Sequence, residues 1–274
     1  MKRHISFEFS APRNSVETAK LLKVHEKLKV FSPEFFSVTY GAGGSTKEGT
    51  KQAVLNIQNL GSSVAPHLSF GGDEPDKIAD LLREYKLAGV KRLVALRGDM
   101  PSGQITRMTF ARELIEFIRN STGNHFHIDI AAYPEVHPDS PTVESDIKFF
   151  KDKVDAGANS AITQYFYNTD AYFRYLDNCA SHNINIPIVP GIMAITNYKG
   201  IIRFSKNCGA EIPRWILKQL ESYQDQPDSL RAFGLEVVTA QCQKLLDGGA
   251  PGLHFYTLNQ ALPSVRILGN LQSL

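Results

Sequence analysis

Polar side chains that stand at the ends of short apolar runs are the residues of this 274-residue chain best suited to chemistry. Glu8 lies in SFEFS, Thr39 in SVTYG, His67 in APHLS and Asp99 in ALRGD; Tyr133 and His137 follow in AAYPEVHP, Gln164 in ITQYF and Tyr256 in HFYTL. A carboxyl between Phe7 and Phe9, as Glu8 is, is expected to be buried with a raised pKa, which suits proton donation. Asp99 comes just after the apolar stretch 93–96, so it is expected past a buried strand, although a helix cap or a solvated loop also accommodates it. His67 after Pro66 reads equally as a packed turn histidine and as a site residue. Gln164 or Tyr165 must turn inward from an apolar run, where an amide has to find partners. Asp146 and Lys153 lie two turns apart on one helix face, a solvated pair unless a ligand phosphate is near.

Other chemistries lack their patterns. GAGGSTKEG, residues 41–49, offers glycines before a helix, but Thr46 occupies the last glycine position of a dinucleotide fingerprint and no Gly-Lys-Ser/Thr follows. His125 and His127 alternate on a strand and no H-E-x-x-H is present, so no metal site is expected. No G-x-S-x-G marks a serine nucleophile. Thirty basic and 28 acidic side chains leave a charge of +2, too small to point to nucleic acid or an anionic membrane. Cys179, Cys208 and Cys242 are odd in number and widely spaced, which fits a reducing compartment. With no apolar leader at the N-terminus and no long apolar window, a cytoplasmic protein is expected. That setting disfavours an adhesion role for Arg97-Gly98-Asp99, one of the alternatives such a tripeptide raises.

The elements that must position these groups follow from periodicity. Apolar or alternating runs begin near residues 4, 35, 64, 92, 127, 160, 186 and 252. Helical spacing separates them, as in Ile78, Leu81, Leu82 and Tyr85, in Phe110, Leu114, Phe117 and Ile118, in Ile147, Phe150 and Val154, and in Val238, Cys242 and Leu245. Ser45 with Glu48, and Asp73 before Pro75, read as helix starts; Gly89 and Gly157 read as stops. Eight strands alternating with helices predict an α/β protein, a (β/α)8 TIM barrel with extra helices at 212–222 and 228–247 before the eighth strand; an open doubly wound sheet is the rival. One domain over residues 1–274 is expected, and in a barrel the polar run ends gather at one pole.

Taken together, SFEF with Pro12-Arg13, SVTYGAGG, APHLSF, VALRGDMP, AAYPEVHP, KVDAGANSAITQYFY, VPGIM and PGLHFYTLN closely resemble the methylenetetrahydrofolate reductases over nearly the whole chain. The resemblance implies a barrel that holds non-covalent FAD, accepts electrons from NADH or NADPH, and reduces 5,10-methylenetetrahydrofolate to 5-methyltetrahydrofolate by a ping-pong cycle. It assigns flavin contacts to Thr39, His67, Arg97, Gly98, Asp99, Ala132, Tyr133, His137, Asp146, Lys153 and Ala158. Glu8 becomes the acid that protonates the folate ring nitrogen, and Asp99 the anion that stabilises the cationic ring-opened species. Glu8, Thr39, Gln164, Phe204 and Tyr256 become substrate contacts. Gln260 stands where many relatives carry arginine and Gly200 where some bacterial members carry glutamine, and with no S-adenosylmethionine-binding domain in the matched stretch, inhibition by that metabolite is not expected. A homo-oligomer is expected by the same likeness. A proline-dehydrogenase-like flavin barrel and a barrel lyase using residues 41–44 for phosphate are the competing enzyme readings.

Overall fold

Short apolar runs, most of four to six residues and too short for helices, form the strands, and most hand over directly to a helix that covers their outer face. The computed structural model describes residues 4–40, 47–70, 74–97 and 110–272. The chain runs β1 (His4–Phe9), α1 (Ser15–Lys29), β2 (Phe35–Val38), α2 (Lys47–Asn59), β3 (Val64–Leu68), α3 (Pro75–Leu87), β4 (Arg92–Ala95) and α4 (Ala111–Thr122). It continues through β5 (His127–Ala132), α5 (Val143–Asp155), β6 (Ser160–Thr163), α6 (Thr169–Ser181), β7 (Ile188–Val189) and β8 (Gly191–Met193). Three helices follow, α7 (Tyr198–Cys208), α8 (Arg214–Ser222) and α9 (Pro227–Asp247), before β9 (Gly252–Tyr256) and α10 (Ala261–Asn270).

All strand pairs are parallel, in the order β7-β6-β5-β4-β3-β2-β1-β9-β8. The barrel therefore has nine strands in eight positions. Pro190, which has no N–H to give to a ladder, divides the seventh strand into β7, paired with β6, and β8, paired with β9. The Pro190 carbonyl still accepts from the His254 N–H at 3.0 Å, so the two pieces close one wall.

Side-chain alternation sorts the residues into two shells. Phe7, Phe9, Phe36, Val38, Leu93, Ile128 and Ile130 face outward into the main core beneath the helices. The inward row carries Ser6, Glu8, His67, Arg92, Asp129, Ser160, His254 and Tyr256 around a small apolar layer of Phe35, Ala65, Val94 and Ile162. Among the expected helix faces, Ile78, Leu82, Tyr85, Leu114, Ile118, Val238, Cys242 and Leu245 are buried. Phe110 is not part of that stripe: it is the exposed N-cap of α4, where the Glu113 carboxylate accepts from its N–H. Glu74, rather than Asp73, caps α3; Asp73 and Ser45 lie outside the described residues.

Candidate active site

At the pole formed by the C-terminal strand ends, three residues from three strands meet. Glu8 projects from β1 into the lumen, with Oε2 3.3 Å from His67 Nε2 of β3 and 3.8 Å from His254 Nε2 of β9. Ser6, two residues before Glu8 on the same face, pairs its Oγ with His254 Nδ1 at 2.7 Å. The His254 ring stacks on Phe35 at 5.9 Å and meets Tyr256 edge-on at 5.3 Å. Exposure falls from the Glu8 side chain (17%) through His67 (9%) to His254 (1%), which makes the carboxyl the outlet of the cluster toward the mouth.

The electrostatics correct the expectation of a raised Glu8 pKa. Burial does push the carboxyl up, but the neighbouring His67 and His254 imidazoles outweigh it and hold Glu8 at about 2. Phe7 and Phe9 contribute nothing to a hydrophobic pocket around Glu8, because alternation turns them outward against Phe36 and Phe255.

Tyr256, the register partner of Glu8, donates its O–H to the Thr163 carbonyl at 2.7 Å. Burial, then Glu8, raises its pKa well above the ordinary value, so it stays neutral. Its ring lies where a side chain at position 191 would be: a Cβ on Gly191 would stand 2.6 Å from Tyr256 Cε2 and 2.1 Å from the Thr163 carbonyl oxygen. The break at Pro190-Gly191 thus makes the seat for Tyr256.

A second group surrounds the turn between β5 and α5. Arg97, two residues past β4, reaches Asp139 at 2.6 Å, and the His137 Nδ1 accepts from the Asp139 N–H at 3.0 Å. Tyr133 packs edge-on against His137 at 4.4 Å. Burial pushes the His137 imidazole down and the Tyr133 phenol up, so both are neutral near pH 7. On α5, Asp146 accepts from Ser140 Oγ at 2.8 Å, and Lys153 donates to the Ala131 carbonyl at 2.6 Å. Burial lowers the Lys153 ammonium to about 8 against the opposing pull of Asp146. Ala132 and Ala158 are buried small residues beside this group.

Other expected positions are placed as follows. Thr39 is half-buried; its Oγ1 accepts from the Ala11 N–H at 3.1 Å and its carbonyl from Thr50 Oγ1 at 2.7 Å, which ties the ends of β1 and β2 together. Gln164 is half-buried after β6, with Oε1 taking the Tyr165 N–H at 3.0 Å. Phe204 lies half-buried on α7 with Arg203 over its ring at 5.2 Å. Gly98, Asp99 and residues 41–46 lie outside the described residues. Gln260 caps α10 and Gly200 gives its N–H to Asn197, the N-cap of α7. Ser6 and His254 were missed by the sequence reading, yet each stands two residues before a residue it selected, on the same strand face.

Arg97, paired with Asp139, and Lys153, bonded to the Ala131 carbonyl, bring two basic groups to the ends of β4 and β5, and the buried His67 Nε2 faces only the Glu8 carboxylate, at 3.3 Å. Among the described residues no cluster of His, Cys, Asp or Glu could hold a metal ion.

A parallel (β/α)8 barrel with an acid–base cluster at its C-terminal pole is the architecture of a barrel enzyme. Residues 1–272 match the family described as methylenetetrahydrofolate reductase. The chain is 38% identical over 257 residues to 5,10-methylenetetrahydrofolate reductase of Buchnera aphidicola, covering 93% of this chain and 87% of that protein. It is 36% identical over 282 residues to methylenetetrahydrofolate reductase (NADH) 1 of Arabidopsis thaliana, covering 97% of this chain and 48% of that one. A solved Clostridium thermocellum protein, described as binding two copies of 5-methyl-5,6,7,8-tetrahydrofolic acid, superposes with a TM-score of 0.71 at 16% identity over 97% of this chain and 93% of that chain, a likeness of fold. The chain belongs to the methylenetetrahydrofolate reductase family.

Proposed function

We propose that this protein is a single-domain flavoenzyme that reduces 5,10-methylenetetrahydrofolate to 5-methyltetrahydrofolate with electrons from NADH or NADPH. The observation that carries the reading is the Glu8–His67–His254 cluster at the mouth of a barrel of this family. FAD, when bound, would carry two electrons as a hydride equivalent from the nicotinamide to the folate. Thr39, His67, Tyr133, His137, Asp146, Lys153 and the Arg97-Gly98-Asp99 stretch would hold it, with Ala132 and Ala158 leaving room. Lys153 and Arg97 supply the positive charge, and His67 a donor for the ring edge.

The protein's own part is to move a proton and to orient the folate. Opening the five-membered ring of the folate needs a proton on a weakly basic nitrogen. Glu8, ionised in the free protein, is the least buried member of its cluster and relays a proton from the His67 or His254 imidazole to that nitrogen; Ser6 fixes the orientation of the His254 ring through Nδ1. By the family likeness, Asp99 supplies the anion that stabilises the iminium cation. Tyr256 and Gln164 orient the pterin, and Phe204 gives it or the nicotinamide a face to stack on. Both substrates use this mouth in turn, so the kinetics are ping-pong. The protein works in the cytoplasm as a homo-oligomer; no described helix is long and apolar enough to cross a membrane.

The test is the visible spectrum of the purified protein together with initial rates. A yellow chromophore bleached by a nicotinamide donor and restored by methylenetetrahydrofolate, with parallel double-reciprocal lines, is the expected result. A colourless protein overturns the flavin assignment, and intersecting lines overturn the shared mouth.

A further inference from the structure

Glu135, in the turn between β5 and α5, has no role in the chemistry above. Its Oε2 accepts the backbone N–H of Glu211 at 2.9 Å, across 76 residues of sequence, just beyond the C-terminal end of α7. Its Oε1 is buried without a partner. Burial raises this carboxyl while the Glu211 N–H opposes the rise. Drawing a carboxyl inward for a single hydrogen bond is costly, so the bond has a positional value.

The same two segments touch a second time. Gly209 ends α7 at φ +75, and a Cβ there would stand 2.9 Å from Pro138 Cγ. A side chain at 209 would meet both the left-handed backbone and the proline ring. Between these two contacts Val136 adopts φ +69, a conformation β-branched residues avoid. A void of about 10 Å³, the size of one water, lies where Tyr133, Gln164 and Tyr165 face Cys208 and Gly209, and a larger one of about 420 Å³, lined by Glu135, Val136, Asp146, Arg174 and Glu211, adjoins the same turn.

We infer that Glu135 is a positioning residue that locks the turn carrying Tyr133 and His137 to the end of α7, the helix carrying Phe204. This rests on the proposed flavin and folate reading, in which Tyr133 and His137 form the cofactor wall and Phe204 the substrate wall. One carboxylate then fixes the distance between the two walls. The Tyr165–Ser205 hydroxyl pair at 3.0 Å ties the last turn of α7 to the β6 end, and Glu135 holds the segment just beyond it.

The test compares Glu135→Ala with Glu135→Gln in the full chain. Without added folate, Glu135→Ala is expected to lose amide-exchange protection over 204–211 while the strands keep theirs; unchanged protection there overturns the inference. In turnover, Glu135→Ala is expected to raise the folate KM roughly tenfold, leave nicotinamide oxidation by an artificial acceptor within about twofold, and release flavin more readily on gel filtration. Glu135→Gln, which keeps an oxygen for the Glu211 N–H, is expected to restore all three. A lower melting temperature in Glu135→Ala with folate KM and flavin retention unchanged shows a purely structural tie and overturns the inference. If the wild-type protein binds no flavin, the proposed function fails instead, and the exchange arm still decides the lock.

Discussion

The two ends of one barrel lumen hold comparable sets of polar residues and treat them in opposite ways. At the N-terminal end, fully buried Asp129 accepts from Arg92 Nε at 2.6 Å, Arg92 Nη2 at 3.1 Å and Ser160 Oγ at 2.5 Å. Ser160 Oγ is also 2.6 Å from His127 Nε2; Arg92 reaches Glu34 at 2.5 Å and lies over Phe35 at 4.0 Å. Burial disfavours the Arg92 charge, and Asp129 and Glu34 more than restore it. At the C-terminal end, His67 Nε2 and His254 Nε2 face only the Glu8 carboxylate, at 3.3 and 3.8 Å, and Ser37 Oγ is buried without a hydrogen-bond partner. A saturated network closes a floor, whereas loosely paired polar groups leave hydrogen-bonding capacity for a ligand.

Breaking the floor should cost stability and spare chemistry. Asp129→Ala leaves a buried guanidinium short of its partner, and a loss of about 3–5 kcal/mol in urea unfolding is expected, with the folded fraction still catalysing flavin reduction normally. If the variant is as stable as the wild type, the floor is not a structural plug.

The mouth should show itself in acid. A carboxyl held at about 2 against an ordinary 4.5 stabilises the fold above pH 4.5, and that contribution disappears as pH falls through 2. Between these limits the wild type should lose about 3 kcal/mol more than Glu8→Gln in acid unfolding. Parallel stability curves for the two proteins would show that His67 and His254 do not hold the carboxylate.

Two smaller effects sharpen the contrast. Gly191→Ala must displace Tyr256 or the Thr163 carbonyl, and is expected to cost about 1–3 kcal/mol and to raise the folate KM, measured by unfolding and steady-state rates. An unaltered KM would remove Tyr256 from the folate subsite. With Lys153 at about 8, FAD rebinding to the apoprotein should weaken as pH rises from 7 to 9. Lys153→Met should bind about tenfold more weakly at pH 7 with no such slope. A slope that survives the substitution would assign it to another group.

Much of this architecture is legible in residue order alone. The strand starts at 4, 35, 64, 92, 127, 160 and 252 follow from apolar runs, and the elaboration before β9 from the long interval preceding it. Pro190 was visible, but its consequence, one wall built from two strands, depends on pairing with β6 and β9. The pole of the site was legible because barrel strands share a direction. The surroundings of Glu8 were not: its sequence neighbours Phe7 and Phe9 face away, while the groups that set its charge come from β3 and β9. Period-two alternation would have found Ser6 and His254. Arg92 with Asp129, 37 residues apart, and Glu135 with Glu211, 76 apart, join through the closed barrel and leave no local signal.

The central claim, that the mouth cluster protonates the folate through Glu8, is tested most directly by separating the two half-reactions in Glu8→Gln by stopped-flow absorbance. The expected result is flavin reduction by the nicotinamide within about twofold of wild type, and reoxidation by methylenetetrahydrofolate slowed roughly 10²-fold or more. Reoxidation by the folate at the wild-type rate would contradict it.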